Sequence, residues 1–172
     1  MILLLVGAVL AGRALQLFTG TQQPAKTKGV HPSFPVFVRA AYIWLAIAAV
    51  LGVWAAHAGS ANGVWGASRH ALTVGFIATM VFSIGQRVLP AFSGMRLLFS
   101  SKLMFSALFL LTVGCSLRVT FEILAYQHFA NWAWSGLPVS AVVELSAVTL
   151  FAVNMIATFL QRSSSETPGN TA

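Results

Sequence analysis

Aspartate does not occur in these 172 residues, and glutamate supplies only three acidic side chains against ten Lys and Arg. Cysteine is nearly absent as well. Cys115 is the single thiol, so no internal disulfide and no thiolate cluster for zinc or iron–sulfur can form, and the lack of a Cys-x-x-Cys-His run excludes covalent c-type heme attachment. Charged residues make up 8% of the chain, against about 25% in ordinary soluble domains, which excludes a water-soluble fold for want of polar surface. A nucleophile elbow, a phosphate-binding loop and a metalloprotease helix are all missing. The formal charge of +7 does not indicate nucleic acid, because the basic residues sit scattered at the ends of apolar runs instead of lining a stripe.

What the chain has instead is hydrophobic length. Hydrophobic residues account for 58% of it, in runs of about 20, the length that crosses a hydrocarbon core roughly 30 Å thick at 1.5 Å per residue. The expected fold is all-α, a polytopic transmembrane bundle over residues 1–161 with a polar tail at 162–172 that has the composition of disordered segments. Five spans are marked out: Ile2 to Phe18, which is short, then Val36 to His57, His70 to Pro90, Leu103 to Tyr126 and Leu137 to Leu160. Lys26, Lys28, Arg39, Arg96, Lys102 and Arg162 fall on one side of this arrangement. Positive-inside placement then gives an outward N-terminus and a cytoplasmic C-terminus. Trp65, Trp132, Trp134 and Tyr126 fall on the outer side, as an interfacial aromatic belt would.

Ionisable residues deep in a span are costly and are functional candidates by default. Arg118 and Glu122 lie in the fourth span at i, i+4 spacing, and Glu144 lies in the fifth on an antiparallel neighbour. His57, His70 and His128 each fall at the outer end of a span, making an outer histidine layer, with Arg118 and Glu144 about 10 to 12 Å below it at 1.5 Å per residue. Neutral imidazole suits heme iron and copper, so His70, His57 and His128 are the candidate metal ligands. His31 is in a loop and carries no assigned role. The buried charges admit two readings: an ion-pair cluster that locks two helices together, or a working site in which Arg118 meets a heme propionate and Glu122 or Glu144 passes protons. Gly75, Gly85 and Gly114 permit either close helix contact or the approach of a flat cofactor, with helix contact the simpler explanation.

The run RHALTVGFIATMVFSIGQRVLPAFSGMR at residues 69–96, with LRVTFEILAY and WAWSGLPVSAVVELSAVTLFAVN further on, resembles the NnrS family of bacterial membrane proteins. The resemblance covers about residues 65–156, and its strongest element is His70-Ala-Leu followed by Gly75, Phe76, Met80, Arg87, Leu89 and Pro90. It implies a multi-pass helical protein of the bacterial inner membrane that binds heme and copper and acts in denitrification and protection from nitrosative stress. On matching positions it makes His70 the leading heme ligand and Arg87 part of the structural end of the motif. Members of that family are about twice as long, so this chain is similar to their C-terminal part. Where oxidase-like relatives place a histidine before Leu-Pro, this chain has Arg87.

The expectation is therefore an NnrS-like membrane protein with heme on His70, a second axial or copper position from His57 or His128, and Arg118 on a propionate. Nitric oxide would be the small ligand. The alternatives are a cofactor-free membrane subunit or assembly partner of a respiratory complex, in which the buried charges serve helix packing or contact with a larger complex, and a proton-coupled transporter using Glu122 and Glu144; a homo-oligomer would restore the span count of a longer relative. The transporter fits less well because five spans without internal repeats do not build the usual two-repeat architecture.

Overall fold

The computed structural model describes residues 6–7, 9–10, 12–13, 33–58, 63–92 and 98–165. Among these there is helix and no strand. The first expected span, Ile2 to Phe18, lies largely outside the described residues, as do His31, Lys26, Lys28, Arg96 and residues 166–172.

Four spans follow, each long and apolar enough to cross a membrane: Phe34–His57, Val64–Gln86, Ser101–Tyr126 and Ala133–Leu160. The first is carried by helix α1, Phe34–Ala58. It opens on Ser33, whose carbonyl accepts from the Val36 and Phe37 amides at 2.9 and 3.1 Å. Pro35 falls in the first turn, where its missing N–H leaves nothing unpaired. The second span is composite: α2, Val64–His70, then a π-helical segment, Ala71–Ala78, then α3, Thr79–Phe92. The third is α4, Ser101–Tyr126, capped by Ser100, whose side chain accepts from the Leu103 amide at 3.3 Å. It ends where His128 takes a left-handed conformation, φ 57°, and the Phe129 and Ala130 amides fold back onto the Leu124 carbonyl. The last is α5, Ala133–Ser165.

The helices run alternately up and down, as the contacts between them require. Ser68 Oγ donates to the Ala48 carbonyl at 2.9 Å, joining α2 to α1. The Phe37 and Phe105 rings meet edge-on at 5.7 Å between α1 and α4, and Phe82 stacks on Phe151 at 4.1 Å between α3 and α5. α4 and α5 form the most extensive pair. Two apolar cores result. One gathers Trp44, Leu51, Val64, Ala67, Cys115 and Val119 toward the end that carries the 127–132 turn; the other gathers Phe37, Phe82, Met104, Leu108, Leu111 and Ala147 toward the opposite end. The outer surface of α5 exposes Val142, Leu145, Val148, Ile156 and Phe159, which suits hydrocarbon and not water. Around the turn end Trp65, Tyr126, Trp132 and Trp134 are exposed, with the Arg69 guanidinium 5.3 Å from the Trp65 ring centre.

Two span boundaries differ from the sequence expectation, and the difference moves the candidate residues. The second described span begins at Val64 and not at His70. The polar-looking WGASR stretch is helical because Gly66 and Ala67 pack against α4 and Ser68 against α1. His70 thus lies about 9 Å inside the helix start instead of at the mouth of the span. Likewise α5 begins at Ala133, ahead of the expected Leu137, so Glu144 is about 16 Å from its start. The expected separation between the histidine layer and the buried charges does not hold for His70.

The π-helical segment sets the facing of the composite span. At about 100° per residue, the nine residues from His70 to Thr79 would turn an unbroken α-helix through two and a half turns and leave them on opposite faces. A π segment takes more residues per turn. It brings Thr79, Ser83 and Gln86, all buried, round to the bundle interior below His70. Gly75 sits in this segment directly against Trp44, where an added Cβ would lie 2.6 Å from the indole Cγ.

Candidate functional site

His70, Arg118, Glu122 and Glu144 are brought together between α2, α4 and α5. α2 and α4 run antiparallel and closely spaced, with Gly63 against Tyr126, Gly66 against Glu122 and the His70 carbonyl against Cys115. This ladder carries the His70 ring toward α5. His70 Nε2 lies 3.7 Å from Glu144 Oε2, and Arg118 Nε lies 3.7 Å from Glu122 Oε2. Both separations are ion-pair distances longer than a hydrogen bond. His70 is also within electrostatic reach of Glu122, so the two pairs form one cluster of four ionisable side chains.

Small residues make room for the carboxylates. Glu122 Oε1 occupies the space a side chain at Gly66 would fill, and the Glu144 stem crosses α4 at Gly114, where an added Cβ would lie 2.6 Å from Glu144 Cγ. These notches let the buried Glu122 and the partly buried Glu144 side chains fit between closely packed helices. Gly66→Ala should therefore displace Glu122 and destabilise the protein by about 1–3 kcal/mol, the usual cost of overpacking. Gly85→Ala, whose added Cβ meets nothing nearer than 3.8 Å, should be close to neutral. Thermal unfolding of the two variants in the same detergent checks the contrast.

Buried Arg118 Nε, Glu122 Oε2 and Glu144 Oε1 have no hydrogen-bond partner. A buried polar atom without a partner is uncommon and calls for a reason. The cluster combines an imidazole, a guanidinium and two carboxylates in a region otherwise walled by apolar side chains. Such a set can orient a metal-ligating histidine, hold an anionic group, or move a proton between His70 and a carboxylate.

The other sequence candidates lie elsewhere. His57 is exposed, and its Nδ1 is 2.8 Å from the carbonyl of Val53 in its own helix. His128 is exposed in the turn after α4. Among the described residues no three His, Cys, Asp or Glu side chains gather into a set able to hold a metal ion. Arg87 lies on α3, and its side chain is outside the described residues. Gly75 and Gly114 face Trp44 and Glu144 respectively, so helix contact is what they serve here.

A second buried polar group went unnoticed in the sequence reading. At the opposite end of the bundle Asn154 Nδ2 donates to Gln86 Oε1 at 3.2 Å and to the Ser100 carbonyl at 3.1 Å, while Asn154 Oδ1 accepts from the Ser100 amide at 3.1 Å. The Phe99 amide donates to Thr158 Oγ1 at 3.0 Å. Gln86, Asn154 and Thr158 are uncharged amide and hydroxyl side chains inside apolar runs, and that was the available signal. Such residues commonly join helices in membranes.

The chain belongs to the family described as Domain of unknown function (DUF8744), whose model matches residues 3–159. That stretch takes in the four described spans, short only of the last residue of the fourth, Leu160, and the whole charged cluster. No curated protein and no solved structure matches the chain.

Proposed function

We propose that this protein is an NnrS-like membrane protein that binds heme through His70, with copper as a second metal it could take, and acts in the response to nitric oxide or in denitrification. The observation that carries the reading is a coincidence of two independent signals. The histidine that opens the His-Ala-Leu motif is also the histidine that the fold sets against the buried charges, at the entry to a π-helical segment. Such segments are frequent at functional sites.

The residues present fit a site with one histidine ligand. The His70 ring turns Nε2 to Glu144 at 3.7 Å, so heme ligation through Nε2 would need the ring to turn and take the carboxylate on its other side, since pairing of a ligating histidine with a carboxylate is the usual supporting arrangement. Arg118 Nε, buried and without a hydrogen bond, suits a propionate. A bound heme would supply an iron that takes nitric oxide or passes an electron, its potential set by axial ligand and burial. The chain's own groups would hold the iron on His70, balance charge with Arg118, and keep bulk water away with the apolar core around Trp44 and Val119. His57 and His128 are the remaining histidine candidates for copper or a second axial position. We place the protein in the bacterial inner membrane, with the tryptophan-rich end outward and the Lys- and Arg-rich loops in the cytoplasm.

One observation favours a cofactor-free reading. With His70 protonated, the two positive and two negative groups balance among themselves, which is what a helix-locking ion cluster in a membrane subunit would need. A reduced-minus-oxidised visible spectrum with iron and copper analysis separates the two. The heme reading expects a Soret band with stoichiometric iron, abolished by His70→Ala while the folded protein remains. A colourless, metal-free, well-folded native sample would overturn it and leave the accessory-subunit reading.

A further inference from the structure

We infer that Ser83 and Gln86 form a binding site for an internal water molecule at the end of the bundle that holds Asn154, a site independent of the heme reading. α3 is inverted for a helix that faces lipid. Thr79, Ser83 and Gln86, at i, i+4 and i+7, are 0%, 0% and 3% exposed, whereas Val81 and Ile84 on its outer side are 57% and 43% exposed. Turning the polar side of a helix inward is costly unless its groups are hydrogen-bonded. Thr79 meets that requirement by donating to the Val74 carbonyl at 3.3 Å. Ser83 Oγ and Gln86 Nε2 are buried and have no partner among the described residues.

The surrounding network fixes which atoms are left over. Asn154 Oδ1 accepts from the Ser100 amide and Asn154 Nδ2 donates to the Ser100 carbonyl, so the orientation of this amide is set by backbone. Asn154 Nδ2 also donates to Gln86 Oε1, which turns Gln86 Nε2, a donor of two hydrogens, away from Asn154. The unmatched groups are therefore an amide donor and a hydroxyl, and the occupant must present an oxygen. A cation is repelled by the Nε2 hydrogens. An anion would need a counter-charge, and Ser83, Gln86, Ser100, Asn154 and Thr158 are all uncharged. The occupant is thus small and neutral. Residues three apart on a helix hold their Cβ atoms about 5–6 Å from each other, a separation that one water bridges with two hydrogen bonds of about 3 Å. Such a water accepts from Gln86 Nε2 and bonds with Ser83 Oγ, the two polar partners an internal water needs. It completes a chain from Ser83 through Gln86 and Asn154 to Ser100, the cap of α4, so that α3, α4 and α5 share one hydrogen-bonded network.

The test is a crystal structure of the full chain grown from a lipid phase, with ordered water refined, for native protein and for Ser83→Val. The native map should hold one water about 2.7–3.2 Å from both Gln86 Nε2 and Ser83 Oγ. Ser83→Val, which exchanges the hydroxyl for methyl groups, should lose that water and keep the bonds between Asn154 and Ser100. A native map in which Gln86 Nε2 or Ser83 Oγ reaches a protein acceptor instead, or in which no density joins them, overturns the site, as does a water that stays in place in Ser83→Val. Nuclear magnetic resonance gives a second reading in detergent. The Gln86 side-chain amide of native protein should show cross-relaxation with a long-lived water, and its absence counts against the site. If Ser83→Val does not fold, the native map and the native Gln86 signal decide alone. Heme content enters neither measurement, so the failure of this site and the failure of the heme reading are separate outcomes.

Discussion

Arg118→Met should destabilise the folded protein by about 3 kcal/mol, at the low end of the 3–5 kcal/mol seen when one partner of a buried ion pair is removed, because the Arg118 side chain keeps 29% of its surface exposed. The physical reason is the partner left behind. Glu122, only 8% exposed, would retain its carboxylate between α2 and α4, its Oε1 over Gly66 and its Oε2 with no counter-charge on its own helix. Among the described residues Oε2 has no hydrogen bond even with Arg118 present.

The double variant Arg118→Met, Glu122→Leu is the informative companion. Removing both charges takes away the desolvation cost together with the attraction, and buried pairs replaced in this way are often neutral or somewhat more stable. Stability is read by reversible unfolding in mixed micelles with all variants in the same detergent. If the pair is a structural lock alone, the double variant should regain most of the loss and keep every other property. If Arg118 also meets a propionate, the double variant should regain stability while heme affinity stays low. Equal stability of Arg118→Met and native protein would mean that the pair contributes nothing, and the cluster would then reduce to His70 and Glu144.

The legible part of the fold was set by hydrophobic length. Runs such as LMFSALFLLTVGCSLRVTFEILAY and LPVSAVVELSAVTLFAVNMIATFL are long and apolar enough to span a bilayer, and the four described spans follow such runs. Intramembrane charge was equally plain, since Arg118, Glu122 and Glu144 interrupt otherwise apolar stretches, and the structure gathers the three. The placement of His70 was not readable. Its span begins at Val64 through a segment, VWGASRH, whose Gly, Ser and Arg read as loop. Those residues are helical because they pack on α1 and α4, a tertiary effect that local composition does not carry. The π-helical segment was hidden for a related reason. Extra residues per turn break the 3.6-residue period on which pattern reading depends, so the shared inward face of His70 and Thr79 has no signature in spacing. The role of Gly66 depends on a carboxylate 56 positions away in the sequence, which no motif records.

Asn154→Leu should cost about 3 kcal/mol, although it exchanges a polar side chain for an apolar one inside a membrane-spanning helix. Transfer to hydrocarbon would favour leucine, and interhelical hydrogen bonds in membranes average only about 0.6 kcal/mol. The outcome turns on what loses its partner. Asn154 is fully buried and holds the Ser100 amide, the Ser100 carbonyl and Gln86 Oε1 at once. Leucine would strand those groups beside Ser83 Oγ and Gln86 Nε2, which are already unpaired, and each stranded buried group costs about 1–3 kcal/mol. The Ser100 amide and carbonyl also belong to the residue that caps α4, so the loss would loosen the start of the helix that bears Arg118 and Glu122. Thr149→Ala, five residues earlier on an exposed face and bonded to the Leu145 carbonyl of its own helix, should change stability by less than about 0.5 kcal/mol. Amide hydrogen exchange on both variants locates the effect: faster exchange confined to the first turns of α4 and the adjoining part of α5 in Asn154→Leu supports the clamp, whereas exchange and unfolding indistinguishable from native would show that Asn154 does not tie that loop to the bundle.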